Sequence, residues 1–269
     1  MVADLVYIRS KPLDLEKLKE LKTGSIIYCK TDLCLPLFNH LKECNNKYIL
    51  ISHSSDTSVD FNMFRNKPNC IVKWFALNVN YYHPDLICLP LGFENDEGED
   101  KGRFTDFGIL SKNIVSFDNI NNNLDKRILN RVYCNFTMSG SPKRRAAYRK
   151  PAVEALNKND IGAWFTGLNY ERYCYTMKRY KFVASPRGMG IDCYRTWEAL
   201  SFGCIPIVSK HFMYDSYNLP IIQVEDWRVI DTKWLKLKYE EYLGGIYDYR
   251  MLDMGYWYGR IIAERDKLL

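Results

Sequence analysis

The chain has 269 residues, 47% of them hydrophobic and 26% charged, a balance that excludes general disorder. Thirty-eight Lys and Arg against 32 Asp and Glu give a net charge of +6, which suits an anionic ligand and falls short of a nucleic-acid footprint. Nine cysteines, an odd number with no Cys-x-x-Cys pair, exclude a zinc ribbon or a redox dithiol and are expected as buried free thiols.

Short apolar runs open the chain: LVYIR (5–9), SIIYC (25–29), KYILISH (47–53), CIVKWFAL (70–77) and DLICLPLG (85–92). They read as strands. Leu33, Leu37 and Leu41 recur at helical spacing over 33–43, so strand, helix and strand alternate, as in an α/β sheet. An acidic stretch at 93–104 and an asparagine-rich one at 119–126 break the pattern. A second series starts at RVYCNFT (131–137), continues through a basic helical segment (142–158), and adds strands at 163–167, 181–186, 204–209 and 220–226. From Trp234 onward the pattern is helical and rich in Tyr. Two α/β lobes are predicted, 1–125 and 126–269. No run approaches the ~18 apolar residues of a membrane span, and the first 20 residues lack an uninterrupted apolar region. A soluble, cytoplasmic chain without a membrane anchor is expected.

The segment KFVASPRGMGIDCYRTWEALSFGCIPIVSK (181–210) reads strand, glycine-bearing turn, helix, glycine, strand. Asp192 is expected at the helix N-cap, and Gly203 at its end. A helix start aimed at the carboxyl ends of parallel strands is an anion site. Arg187 in the turn, beside Gly188, and Arg195 in the first helical turn offer fork-shaped donors to a diphosphate. Glu198 lies six residues beyond Asp192, ~9 Å along a helix axis, within reach of a ribose. The bland alternative is a ligand-free turn with Arg195 and Glu198 simply paired. Gly-x-Gly at 188–190 meets Cys193 where the dinucleotide fingerprint needs a third glycine. Phosphate-loop, serine-elbow and zinc-peptidase motifs are absent. Four histidines (40, 53, 83, 211) leave little material for hydrolytic triads. No strict Asp-x-Asp occurs, and no metal is expected.

Three ordered blocks carry a resemblance. SPRGMGIDCYRTWEALSFGCIPIV (185–208) resembles the donor-binding segment of exostosin-like glycosyltransferases, glycosyltransferase family 47. YILISHSSD (48–56) with IVKWFALNV and HPDLICLPLGFEN, and VYCNFTMSGSPKRR (132–145), are similar to further blocks of that family in the same order. The short form is most similar to the family's members in chlorella viruses. The resemblance implies a GT-B fold: two Rossmann-like lobes with the active site in the cleft between them. It implies a metal-independent, inverting transfer, with no cofactor, from a UDP-sugar to a hydroxyl of an acceptor glycan. UDP-xylose is the expected donor, and a fucose-containing N-glycan of a viral glycoprotein the expected acceptor.

The general base follows chiefly from the resemblance, and the other roles from the residues themselves. Asp56, which ends the ILISHSSD block, is expected to be the general base, with Asp60 in reserve; the alternative is that Asp56 caps a turn with Ser54, Ser55 and Thr57. His53 is expected as a strand-end hydrogen-bonding residue. Trp74 and Asn78 lie on a strand–loop segment read as the acceptor side; the alternative is core, where a Trp in an apolar run more often sits. Ser139, with Asn135 and Thr137, and Arg145, beside Arg144, offer a second phosphate grip; the alternative is a solvated basic helix face. Thr166 and Gly167 meet the base. Tyr194 packs on the donor or in the core. Two other classes stay open: a nicotinamide or flavin oxidoreductase with a degenerate turn, and a non-catalytic carbohydrate- or nucleic-acid-binding protein.

Overall fold

The computed structural model describes residues 3–93, 114, 127–138 and 143–269, without the side chains of 143–145. The acidic and asparagine-rich stretches, Ser139, and the side chains of Arg144 and Arg145 lie outside the described residues. Among the described residues there are two five-stranded parallel sheets and eight α-helices. The chain divides into two units, Met1–Leu91 with Asp253–Leu269, and Gly92–Leu252.

In the first unit the strands are β1 (Leu5–Tyr7), β2 (Ile26–Lys30), β3 (Tyr48–His53), β4 (Ile71–Ala76) and β5 (Leu86–Cys88), paired in chain order. Helices α1 (Leu15–Glu20), α2 (Cys34–Leu41) and α3 (Phe61–Phe64) link the first four. Right-handed crossovers in a sequential sheet put such connections on one face. Yet Tyr48 to Ser52 of β3 are buried at every position, so both faces of that strand are covered. The last helix, α8 (Met254–Asp266), packs on β3 and buries Trp257 and Ile261. A Cβ at Gly24 would stand 2.8 Å from Leu269 Cδ2. The C-terminal helix therefore belongs with the first unit and not with the lobe predicted over 126–269.

The second unit holds β6 (Ile128–Cys134), β7 (Gly162–Trp164), β8 (Tyr180–Ala184), β9 (Ile205–Ser209) and β10 (Ile222–Val224), in the spatial order β10-β9-β8-β6-β7. Its helices are α4 (Lys143–Lys158), α5 (Tyr170–Met177), α6 (Tyr194–Ser201) and α7 (Thr232–Leu243). Alternate strand residues feed two cores, as the period-2 geometry of a strand requires. Val132, Cys134, Phe182 and Ala184 pack with Ala152, Ala155 and Leu156 of α4 and Leu235 of α7. Tyr133 and Val183 point the other way, to Cys174 and Met177 of α5 and Ala199 of α6. The chain leaves β6 toward β7 on one side and returns to β8 on the other. The gap between the carboxyl ends of β6 and β8 is thus a topological switch point, where open α/β sheets place ligands.

Candidate functional site

The switch point is built by the segments that follow β6 and β8. Ser185 to Asp192 carry the chain from β8 into α6. The helix starts one residue later than its sequence suggests: Cys193 occupies the N-cap position and its side chain makes no capping hydrogen bond. Asp192 is instead a buried tie. Its Oδ1 accepts from the Cys193 N–H at 2.8 Å and from the Tyr214 hydroxyl at 3.3 Å, and its Oδ2 accepts from the Trp197 indole at 2.7 Å. That fixes the turn against the first turns of the helix. The far end closes as expected at Gly203, with φ +70°. The Gly203 N–H donates to the Leu200 carbonyl and the Cys204 N–H to the Ala199 carbonyl, the paired closure of a Schellman motif.

Three guanidinium groups meet at this point. Arg195, on the first turn of α6, donates through Nε to the Asn135 carbonyl at 2.9 Å, just past the end of β6. Arg149, on α4, donates through Nη1 to the Thr137 carbonyl at 2.8 Å. Both lie over the Phe136 ring, 5.4 and 5.6 Å from its centroid. Arg187 lies over the Tyr148 ring at 4.4 Å. A Cβ at Gly188 would stand 3.4 Å from Arg149 Nη2, so the turn and the helix are in near contact. Two like charges over one ring, with a third over the ring of Tyr148, favour an anion beside them. Arg195 Nη1 and Arg187 Nε are buried and have no hydrogen-bond partner among the described residues. A buried charged donor left unpaired costs ~1–3 kcal/mol or more. Neither residue forms an ion pair among the described residues.

The nearby carboxylate Glu198 is only 6% exposed. It accepts from the Tyr170 hydroxyl at 3.2 Å and the Tyr173 hydroxyl at 2.6 Å. Burial first and Glu198 second push both phenols above their ordinary range, so both stay protonated and donate. The bland alternative of a simple Arg195–Glu198 pair gives way to this arrangement. Cys193 stands at the helix start, where burial pushes its thiol up and the Arg195 charge opposes the shift. Tyr194 is 38% exposed, which removes the core alternative for it. Thr166 is exposed on the loop after β7, beside Gly167 with φ +65°.

In the first unit, Asp56 is exposed on the loop after β3 and makes no hydrogen bond or ion pair among the described residues. The turn-capping role goes to Ser55, whose Oγ accepts from the Thr57 N–H at 3.1 Å. Two non-glycine residues in the left-handed region hold this loop, Ser54 at φ +59° and Asn78 at φ +54°, and Asn78 Nδ2 donates to the Ser55 carbonyl at 3.0 Å. Such conformations cost free energy and persist only where the surroundings impose them. Asp60 is committed elsewhere: its Oδ1 accepts from the Met63 N–H and caps α3. His53 hydrogen-bonds the Pro90 carbonyl through Nε2 at 3.1 Å, as expected for a strand end.

The acceptor assignments are corrected. Trp74 is fully buried; its indole donates to Ser52 Oγ at 2.8 Å and its ring packs between Phe38 and Phe64. Asn78 is 2% exposed and shapes the Asp56 loop from behind. Both side chains are buried rather than open to a ligand, and the apolar run around Trp74 marks core. Sequence reasoning also missed Arg149. It lies four residues after Arg145, on the same helical face, and that spacing was the available signal.

No family model and no curated protein matches the chain. No helix among the described residues is long and apolar enough to cross a membrane. Among the described residues no three His, Cys, Asp or Glu side chains gather as a metal-binding group.

Proposed function

We propose that this protein is an inverting glycosyltransferase of the GT-B type that transfers xylose from UDP-xylose to a hydroxyl of a fucose-containing glycan. The observation that carries the reading is the pair of buried guanidinium donors, Arg187 Nε and Arg195 Nη1, that have no partner among the described residues at the switch point of the second sheet. A diphosphate satisfies both, neutralises the charge and accepts from the start of α6.

In this mechanism the acceptor oxygen forms a bond to the anomeric carbon as the bond from that carbon to the diphosphate oxygen breaks. The acceptor proton passes to Asp56, and UDP leaves with the bonding electron pair. The guanidinium groups stabilise the charge that develops on the leaving diphosphate, so no metal ion is required. Asp56, held on a strained loop and free of other partners among the described residues, has the freedom that a general base needs. Asp60 does not, since its carboxylate caps a helix.

Thermal-shift titration with UDP, UDP-xylose and UDP-glucose, with and without EDTA, tests the reading. Stabilisation by UDP and by one UDP-sugar, unchanged by chelator, is the expected result. No response to any of the three overturns it. NMR of the product anomer tests the stereochemistry.

A further inference from the structure

The carboxyl ends of β2 and β3 lie flush, since Lys30 pairs in register with His53. Two residues beyond each strand end, the parallel arrangement puts Asp32 beside Ser55, the residue before Asp56. Thr31 Oγ1 donates to the His53 carbonyl at 3.4 Å and ties the two segments together. The loop that carries Asp56 is pinned from several sides. The Tyr28 and Ser54 hydroxyls share a hydrogen bond at 2.9 Å, Ser55 Oγ accepts the Thr57 N–H, Asn78 Nδ2 donates to the Ser55 carbonyl, and the Val59 N–H donates to the Asn78 carbonyl at 3.1 Å. None of these ties uses the Asp56 carboxylate.

Asp32 stands against this loop from the β2 side. Its Oδ2 accepts from Arg9 Nη2 at 2.6 Å. Its Oδ1 is buried and makes no full hydrogen bond among the described residues, and the Ser55 hydroxyl is the neighbouring donor that bears on the carboxylate. Burial pushes the Asp32 pKa up, but the Ser55 hydroxyl, its own backbone and Arg9 together bring it below its ordinary value. Such a carboxylate is a poor proton acceptor, and its buried oxygen presents no open face to a substrate. It acts through what it holds. The Ser55 oxygen already accepts from the Thr57 N–H, so the hydroxyl has one proton to place, and Asp32 is the anion beside it. Ser55 is thereby fixed, and through Thr57 so is the chain on both sides of Asp56.

We propose that Asp32 is a positioning residue for the transfer: through Ser55 it holds the Asp56 carboxylate where that group takes the acceptor proton. The inference rests on the transferase reading above, in which Asp56 is the base.

Transfer kinetics, UDP titration and melting curves of the intact chain test it, for wild type, Asp32→Ala, Asp32→Asn, Ser55→Ala and the Asp32→Ala/Ser55→Ala double variant. Each Ala variant is expected to lower kcat roughly ten- to a hundredfold, the cost of a reacting group displaced by about 1 Å. Acceptor KM and UDP affinity should not move. The double variant should be no slower than the slower single one, because both substitutions remove the same contact. Asp32→Asn keeps an acceptor oxygen for Ser55 and should recover most of the lost kcat. A lower melting temperature with wild-type kcat in Asp32→Ala would make the residue purely structural and overturn the inference. So would losses that multiply in the double variant, or Asn as slow as Ala. Should Asp32→Ala fail to fold, wild-type kcat in Ser55→Ala overturns it equally. Wild type without any transfer activity would sink the transferase reading itself and, with it, this inference.

Discussion

Arg149 Nη2 stands 3.4 Å from the place a Cβ would take at Gly188. The glycine thus lets a helix-borne guanidinium close on the turn that carries Arg187. Gly188→Ala adds a methyl group at the limit of ordinary contact, against the far end of a flexible side chain. The fold should hold within about 0.5 kcal/mol, while UDP affinity falls by up to roughly tenfold as Arg149 is displaced. Melting curves and UDP titration check this; wild-type UDP affinity would refute the crowding argument.

Arg187→Met should separate stability from binding. The variant removes a buried Nε–H with no partner among the described residues and a long 3.4 Å hydrogen bond to the Met189 carbonyl, while keeping most of the side-chain volume over Tyr148. Without ligand its melting temperature should equal or exceed that of wild type. The UDP-induced rise should vanish. A large loss of stability without ligand would mean that the guanidinium serves the fold.

Asp56→Asn and Asp60→Ala make opposite predictions. The first should lower turnover by ~10²–10⁴ and leave UDP binding and melting temperature unchanged. The second loses the cap on α3, costs about 1 kcal/mol, and keeps turnover. Steady-state kinetics with a fucose-terminated oligosaccharide distinguish them.

Trp74→Phe tests the corrected role of that residue. The smaller ring leaves space between Phe38 and Phe64 and strands the Ser52 hydroxyl, a cost of ~1–3 kcal/mol. The acceptor KM should not move. A raised KM with unchanged stability would return Trp74 to the acceptor side.

Acid should destabilise the protein through two histidines. Burial holds His53 and His211 below the ordinary value of 6.5. Near and below that value the unfolded chain binds protons that the folded chain refuses, so stability rises with pH through this window and is lost as pH falls. Melting temperature should drop from pH 7.5 to 5.5, and drop less in a His53→Gln/His211→Asn double variant. Equal slopes would show that neither imidazole is linked to folding.

Every strand expected from 5 to 92 and from 131 to 226 is present, because fully buried parallel strands leave continuous apolar runs such as YILIS and IPIV. Their ends were less legible: DLICLPLG shrinks to Leu86–Cys88, since Pro90 has no N–H for a ladder. Asp192 looked like an N-cap because an acid preceded the helix by two residues. Its actual partners, Trp197 and Tyr214, depend on tertiary contact that spacing does not encode. Trp74 misled for the same reason, since a ring in an apolar strand looks alike whether it meets a sugar or Phe38. Arg187 and Arg195 were legible because the glycine-bearing turn and helix start are local. Arg149 joins the cluster only when α4 packs against the sheet.

Residues 253–269 complete the first unit although 161 residues, 92–252, intervene. At ~5–20 residues per second, a ribosome needs about 8–30 s to span that gap. During this time β3 lacks the helix that packs on it, so apolar side chains that α8 covers stay exposed until residues 254–266 emerge. Folding of the amino-terminal unit thus waits for the synthesis of residues 253–269, and a chain released before residue 253 would be a natural client for chaperones.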